Sequence, residues 1–206
     1  MTTKTITEEE MKLRDQIHQL VLVAETFSKY TEEISTYYDE LKNKFGLAEL
    51  RKTKLVYFLI MQQKLHFQEA ILIMCTLFEK PGRKQEVSFE SYKKLSMERE
   101  SLNEINELST EFYNSAFFSF RDKLLAHKDK ELEINQAFSY WNPIEKRHIQ
   151  EMRLYIDKIK IIFDKYWKDK IANNYFADIY DPGFDQFFGM VKQNISFEIR
   201  KLRGEL

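Results

Sequence analysis

From Thr7 to Phe45 the chain has neither glycine nor proline, and its apolar residues recur at threes and fours: Met11, Leu13, Ile17, Leu20, Val21, Ala24 and Phe27, then Ile34, Tyr37, Tyr38, Leu41 and Phe45. That spacing gathers them on one stripe of an α-helix. Thr7-Glu8-Glu9-Glu10 marks its start as a capping box, in which the threonine oxygen accepts a backbone N–H, Glu10 reaches back, and the acidic run suits the positive end of the helix dipole. Gly46 closes the segment. Thr31 leaves open a restart as a second helix.

The same scarcity of turn formers governs the whole chain. Its 206 residues include only 5 Gly and 3 Pro, so its elements are expected to be few and long. With 43% hydrophobic and 32% charged residues it is not the composition of a disordered tail, and a domain of this length buries roughly 70% of its unfolded surface. Its 17 Phe and 11 Tyr predict aromatic seams between helices. No segment reads as a strand.

A second helix is expected from about Leu47 to Phe78, apolar at every position from Leu55 to Met61 and therefore central. Within it, His66 and the single cysteine, Cys75, read as core residues. Pro81-Gly82 ends it, a short helix covers Phe89 to Met97, and a long one covers about Glu98 to His127. Asn142-Pro143-Ile144-Glu145 predicts the next start, with Asn142 as cap, and that helix runs to about Lys170. It is rich in lysine and arginine, which reads as a solvated charged face, with an RNA-facing surface as the alternative. After Asp181-Pro182-Gly183 comes a last amphipathic helix with Phe184, Phe187, Phe188, Val191, Ile195 and Ile199. Trp141 and Trp167 read as core or interface aromatics. The domain reading is a helical domain over 1–170 and a helical extension over 171–206 packed on it.

The formal net charge of −1 provides no global field for nucleic acid, so any such binding rests on a local patch. One cysteine forms no intrachain disulfide, Met1-Thr2-Thr3-Lys4-Thr5 lacks a secretory apolar region, and no uncharged apolar run approaches the ~20 residues of a membrane span. A cytoplasmic protein without membrane attachment is expected. His18, His66, His127 and His148 are scattered, with no cysteine pair and no zinc-type spacing, so neither metal nor cofactor is expected.

The densest polar chemistry lies in Phe120-Arg121-Asp122-Lys123-Leu124-Leu125-Ala126-His127-Lys128-Asp129. On one straight helix Arg121 and His127 stand about 240° and ~9 Å apart, with His127 near the stripe of Ala116 and Phe120 and Arg121 pointing away from it. Two readings stay open. In one, His127 is a packed histidine near a helix C-terminus and Arg121 makes a surface ion pair. In the other, a kinked helix end or a symmetric interface brings the two together as a site.

The run from Arg121 to His127 resembles the arginine, polar residue, spacer, histidine signature of the HEPN superfamily of all-α domains, and the longer string looks most like the branch associated with bacterial abortive infection. The detailed likeness covers about ten residues and the helical likeness residues 5–170. It implies an antiparallel helical bundle that forms a homodimer and cuts RNA without metal, as a toxin or defence nuclease. By that resemblance His127 is the general base or acid for attack of a ribose 2′-hydroxyl, Arg121 holds the phosphate, and Asp122 orients either of them. Products would carry 2′,3′-cyclic phosphates. Lys123, Lys128 and Lys130 can supply a basic rim. An antitoxin or regulatory protein is a further expected partner, although Asp129 stands where some members carry a modifiable tyrosine. A catalytically inactive HEPN module that binds a nucleotide or a protein is the alternative, and a helical interaction protein with no site is the third.

Overall fold

A computed structural model describes residues 6–79, 86–96, 99–126, 144–167 and 182–205. The all-α expectation holds: the regular structure among the described residues consists of helices. They are α1 (Glu8–Phe45), α2 (Leu47–Leu50), α3 (Lys54–Leu77), α4 (Phe89–Leu95), α5 (Arg99–Tyr113), α6 (Ala116–Ala126), α7 (Lys146–Tyr166) and α8 (Pro182–Leu202). Pro81-Gly82, Trp141, Asn142-Pro143, the stretch from Lys168 to Lys170 and Asp181 lie outside the described residues.

Thr7 caps α1 as its sequence predicts, its Oγ1 accepting from Glu10 N at 3.1 Å. The reciprocal half of the box is replaced, because the Glu10 carboxylate accepts from Arg14 Nη2 at 2.6 Å. There is no restart at Thr31. Its hydroxyl donates to Phe27 O at 2.7 Å, one turn back, and the helix continues to Gly46, whose φ of 79° suits a residue without Cβ.

The second expected helix is divided. α2 ends at Leu50, and Thr53, whose hydroxyl donates to Glu49 O, precedes α3. The long helix around the central motif is divided too. Ser115 Oγ donates to Phe112 O at 2.6 Å and accepts from Phe117 N at 3.3 Å, so a serine competing for backbone partners ends α5 and starts α6. The start of α7 also differs from expectation: Glu145 occupies the cap position in an extended conformation, and Ile144 N–H donates to Gln63 Oε1 at 2.8 Å. That bond to α3 holds Ile144 outside the helix.

Two cores lie along the α1–α3 pair. The larger joins the first half of α1 and the second half of α3 to α4–α7, and the smaller joins their other halves to α2 and α8. Contacts fix the directions. Glu25 meets Lys160 and Asp39 meets Lys146, so α1 and α7 run antiparallel. Tyr30 stacks on Phe184 while Tyr37 meets Phe188, so α8 runs parallel to α1. The expected aromatic seam converges on Phe112, whose ring meets Phe78, Phe117, Phe118 and Tyr155 at centroid distances of 4.4–5.7 Å.

Cys75 and Trp167 are fully buried in the larger core, as expected. Arg14 is buried beside them: its Nη2 donates to Tyr92 Oη at 3.0 Å, and its guanidinium lies 5.2 Å from the Trp167 ring.

Candidate functional site around Arg121

Once Ser115 breaks the helix, the wheel for α6 starts afresh. Among the residues of α6 whose burial is described, Phe117, Phe118 and Arg121 are buried, at i, i+1 and i+4, while Phe120 is only half-buried. Arg121 therefore faces the core, which corrects the expectation of an arginine pointing away from the packed stripe and forming a surface ion pair.

The buried guanidinium is held on three sides. Nη1 donates to Glu79 Oε2 at 3.2 Å and to Oε1 at 3.4 Å. Its carbon lies 4.6 Å from the centre of the Phe118 ring, one turn earlier on α6, in a cation–π contact. Nε and Nη2 both donate to Asp122 Oδ1, at 3.1 and 2.8 Å. The two carboxylates differ in setting: the Glu79 side chain is 7% exposed and that of Asp122 is 67% exposed. Burial alone would lower the Arg121 pKa, but the hydrogen bond to Asp122 and the charge of Glu79 outweigh it and hold the group above its ordinary value.

Glu79 follows the C-cap of α3 and is itself tied from α5, where Tyr113 Oη donates to Glu79 O at 3.0 Å. Burial raises the Tyr113 pKa to about 12, so it stays protonated as that donor. One turn earlier on α3, burial also raises the Cys75 thiol to about 12. A thiol at that value is almost never a thiolate near neutrality and is no nucleophile.

Of the residues singled out in the sequence, Arg121 and Asp122 are brought together. Lys123 follows them on α6. His127, Lys128 and Lys130 lie outside the described residues. The described histidines each meet an aromatic ring of another helix: His18 meets Phe163, His66 meets Phe27, and His148 meets Phe120. Neither a group of three or more metal-capable side chains nor a helix long and apolar enough to cross a membrane occurs among the described residues.

The lysines and arginines of α7 are occupied. Lys146 pairs with Asp39, Arg147 with Glu145, Arg153 with Glu32, Lys158 with Glu111, Lys160 with Glu25 and Lys165 with Glu104. These pairs are open to solvent and make the described part of this helix a solvated charged face.

No family model, curated protein or solved structure matches this chain. The site therefore rests on its own geometry, in which Glu79 is the residue that sequence reasoning missed. Its only local signal is a carboxylate in Phe78-Glu79-Lys80-Pro81, and nothing there points to an arginine 42 positions later.

Proposed function

We propose that this chain is a metal-independent endoribonuclease of the HEPN type, acting as a homodimer in a bacterial defence or toxin system, with Arg121 as the phosphate-holding residue. The observation that supports this reading is the unequal grip on the guanidinium. Nη1 is anchored on buried Glu79 and the plane rests on Phe118, whereas the Nε/Nη2 edge is bridged by one oxygen of an exposed carboxylate. That edge matches the bidentate geometry of a phosphate, and displacing an exposed ion pair costs little.

In this proposal a phosphodiester replaces Asp122 at the Nε/Nη2 edge. His127 takes the proton from the ribose 2′-hydroxyl, the 2′ oxygen bonds to phosphorus, the bond to the 5′ oxygen breaks, and that oxygen takes a proton from water as it departs. Arg121 stabilises the charge that builds on the phosphoryl oxygens. Lys123, Lys128 and Lys130 form the rim, and an antitoxin or regulatory protein restrains the activity.

Incubating a mixed RNA pool without divalent metal tests this, using the wild type beside His127→Ala and Arg121→Lys at equal helicity and dimer content. The expected result is cleavage with 2′,3′-cyclic ends by the wild type alone. Cleavage retained in His127→Ala would refute the assignment. A second reading, an inactive module that binds a nucleotide or a protein, is favoured by Glu79, which already neutralises the arginine from within the fold. Absence of cleavage in all three, with nucleotide-dependent protection against melting, would select it.

A further inference from the structure

Between α1, α3 and the start of α8 lies a cleft of about 310 Å³, on residues that the Arg121 site does not use. Small-molecule sites span roughly 300–1,000 Å³, so its size suits a ligand of one or two fused rings. Phe58, Gln62 and His66 line it from α3 at i, i+4 and i+8, which puts all three on one face of that helix. Opposite them stand Phe27 and Tyr30 of α1 and Phe184 of α8.

The walls are aromatic. His66 stacks on Phe27 at 5.6 Å and 25°, and meets Tyr30 and Phe184 edge-on at 5.5 and 5.7 Å. Tyr30 and Phe184 stack on each other at 3.7 Å. Two polar groups interrupt the rings, the Gln62 amide and the His66 imidazole, and neither is hydrogen-bonded to another described residue. Each carries a donor and an acceptor when the imidazole is neutral. Burial lowers the His66 pKa and favours that neutral form near pH 7. No charged side chain lines the cleft among the described residues.

Aromatic faces with paired donors and acceptors suit a planar ring that carries its own donors and acceptors on one edge. What the described lining residues offer a ligand is aromatic surface and two neutral hydrogen-bonding groups, which fit a ring and not a phosphate. We propose that this cleft binds a neutral nucleobase, as the free base or nucleoside, with the ring packed against the aromatic walls and its polar edge on Gln62 and His66. The inference does not depend on the ribonuclease reading, since Arg121 packs on Phe118 of the larger core, whereas Ile34, Leu59 and Phe188 of the cleft belong to the smaller one.

Saturation-transfer NMR with adenosine, guanosine, cytidine and uridine as separate probes tests it on the full chain. At least one nucleoside is expected to bind, with transfer strongest at base protons. Gln62→Leu and His66→Phe should each weaken that binding about tenfold, the loss of one hydrogen-bonding group. His66→Phe keeps an aromatic ring in the wall, and half-buried Gln62 makes Gln62→Leu a second variant that preserves the fold. Arg121→Lys should leave nucleoside binding unchanged. Any of three results overturns the proposal: no nucleoside bound by the wild type, binding by both cleft variants equal to that of the wild type, or tighter binding of adenosine 5′-monophosphate than of adenosine that persists in Arg121→Lys. Binding of indole without any nucleoside would mark a purely apolar groove and overturn it as well.

Discussion

Arg121 of α6 places Nη1 3.2 Å from Oε2 of Glu79, just beyond the end of α3, and both side chains are less than a tenth exposed. The pair joins two ends of the larger core, and Tyr113 of α5 grips the Glu79 carbonyl from the other side. Arg121 is therefore both a tertiary clasp and, through its second edge, the candidate phosphate holder.

Breaking a buried pair by removing one member costs up to about 3–5 kcal/mol, and the bonds from Arg121 to Asp122 keep this pair at the low end of that range. Glu79→Gln and Arg121→Met are each expected to lose about 3 kcal/mol in urea unfolding, with the joint Glu79→Gln, Arg121→Met variant losing much less than the sum. Additive losses would show that the two residues act separately.

Asp122 bonds to the same guanidinium, yet its side chain is 67% exposed, so solvent screens the interaction. Asp122→Asn should cost less than about 1 kcal/mol. In the ribonuclease reading the same change weakens the competitor at the Nε/Nη2 edge, so RNA affinity should rise. A fall in affinity at unchanged stability would instead make Asp122 a positioning residue for the substrate.

Tyr92 of α4 accepts from Arg14 Nη2 at 3.0 Å and from Trp167 Nε1 at 3.2 Å, linking α1 and the end of α7 through one buried oxygen. Tyr92→Phe keeps the ring and removes the shared acceptor, for an expected loss of about 1–3 kcal/mol in the same unfolding experiment. Stability within a few tenths of the wild type would mean that both donors find other partners.

What was legible in the sequence is what neighbours along the chain decide. Thr7 and Gly46 bound α1 because a cap and a left-handed closing residue are local chemistry, and the apolar spacing of α1 and α7 survives in their buried faces. The break at Ser115 was hidden because Phe112, Ala116 and Phe120 keep helical spacing across it, whereas the serine hydroxyl acts on single backbone groups. A helix continuous through Ser115 would put Arg121 on the opposite face from the one it occupies. Its partner Glu79 and the Gln63 bond that holds Ile144 extended are tertiary contacts, 42 and 81 positions apart, and carry no periodic signal. The lysines of α7 looked like an excess because their acids sit on α1 and α5.

The buried thiol of Cys75, raised to about 12, should resist alkylation in the folded state. Iodoacetamide at pH 8 is expected to modify it at least ~100-fold more slowly than a free cysteine, with full reactivity in denaturant. Rapid modification without unfolding would show that the C-terminal half of α3 opens locally.

His66 predicts how stability responds to acid. Burial among Phe27, Tyr30 and Phe184 lowers its pKa from the ordinary 6.5, so the unfolded chain takes up a proton at a higher pH than the folded one. Between those two values the unfolded state binds more protons, and stability falls as pH falls. The fold is therefore expected to be indifferent to this group above its unfolded value and to lose stability progressively below about 6.5. Urea unfolding of the wild type and His66→Phe at pH 7.5 and 5.5 measures it, since the difference between the two proteins isolates the imidazole from other titrating groups. The gap should shift in favour of His66→Phe on acidification. A gap that is the same at both pH values would mean that His66 takes up its proton equally in the folded and unfolded states.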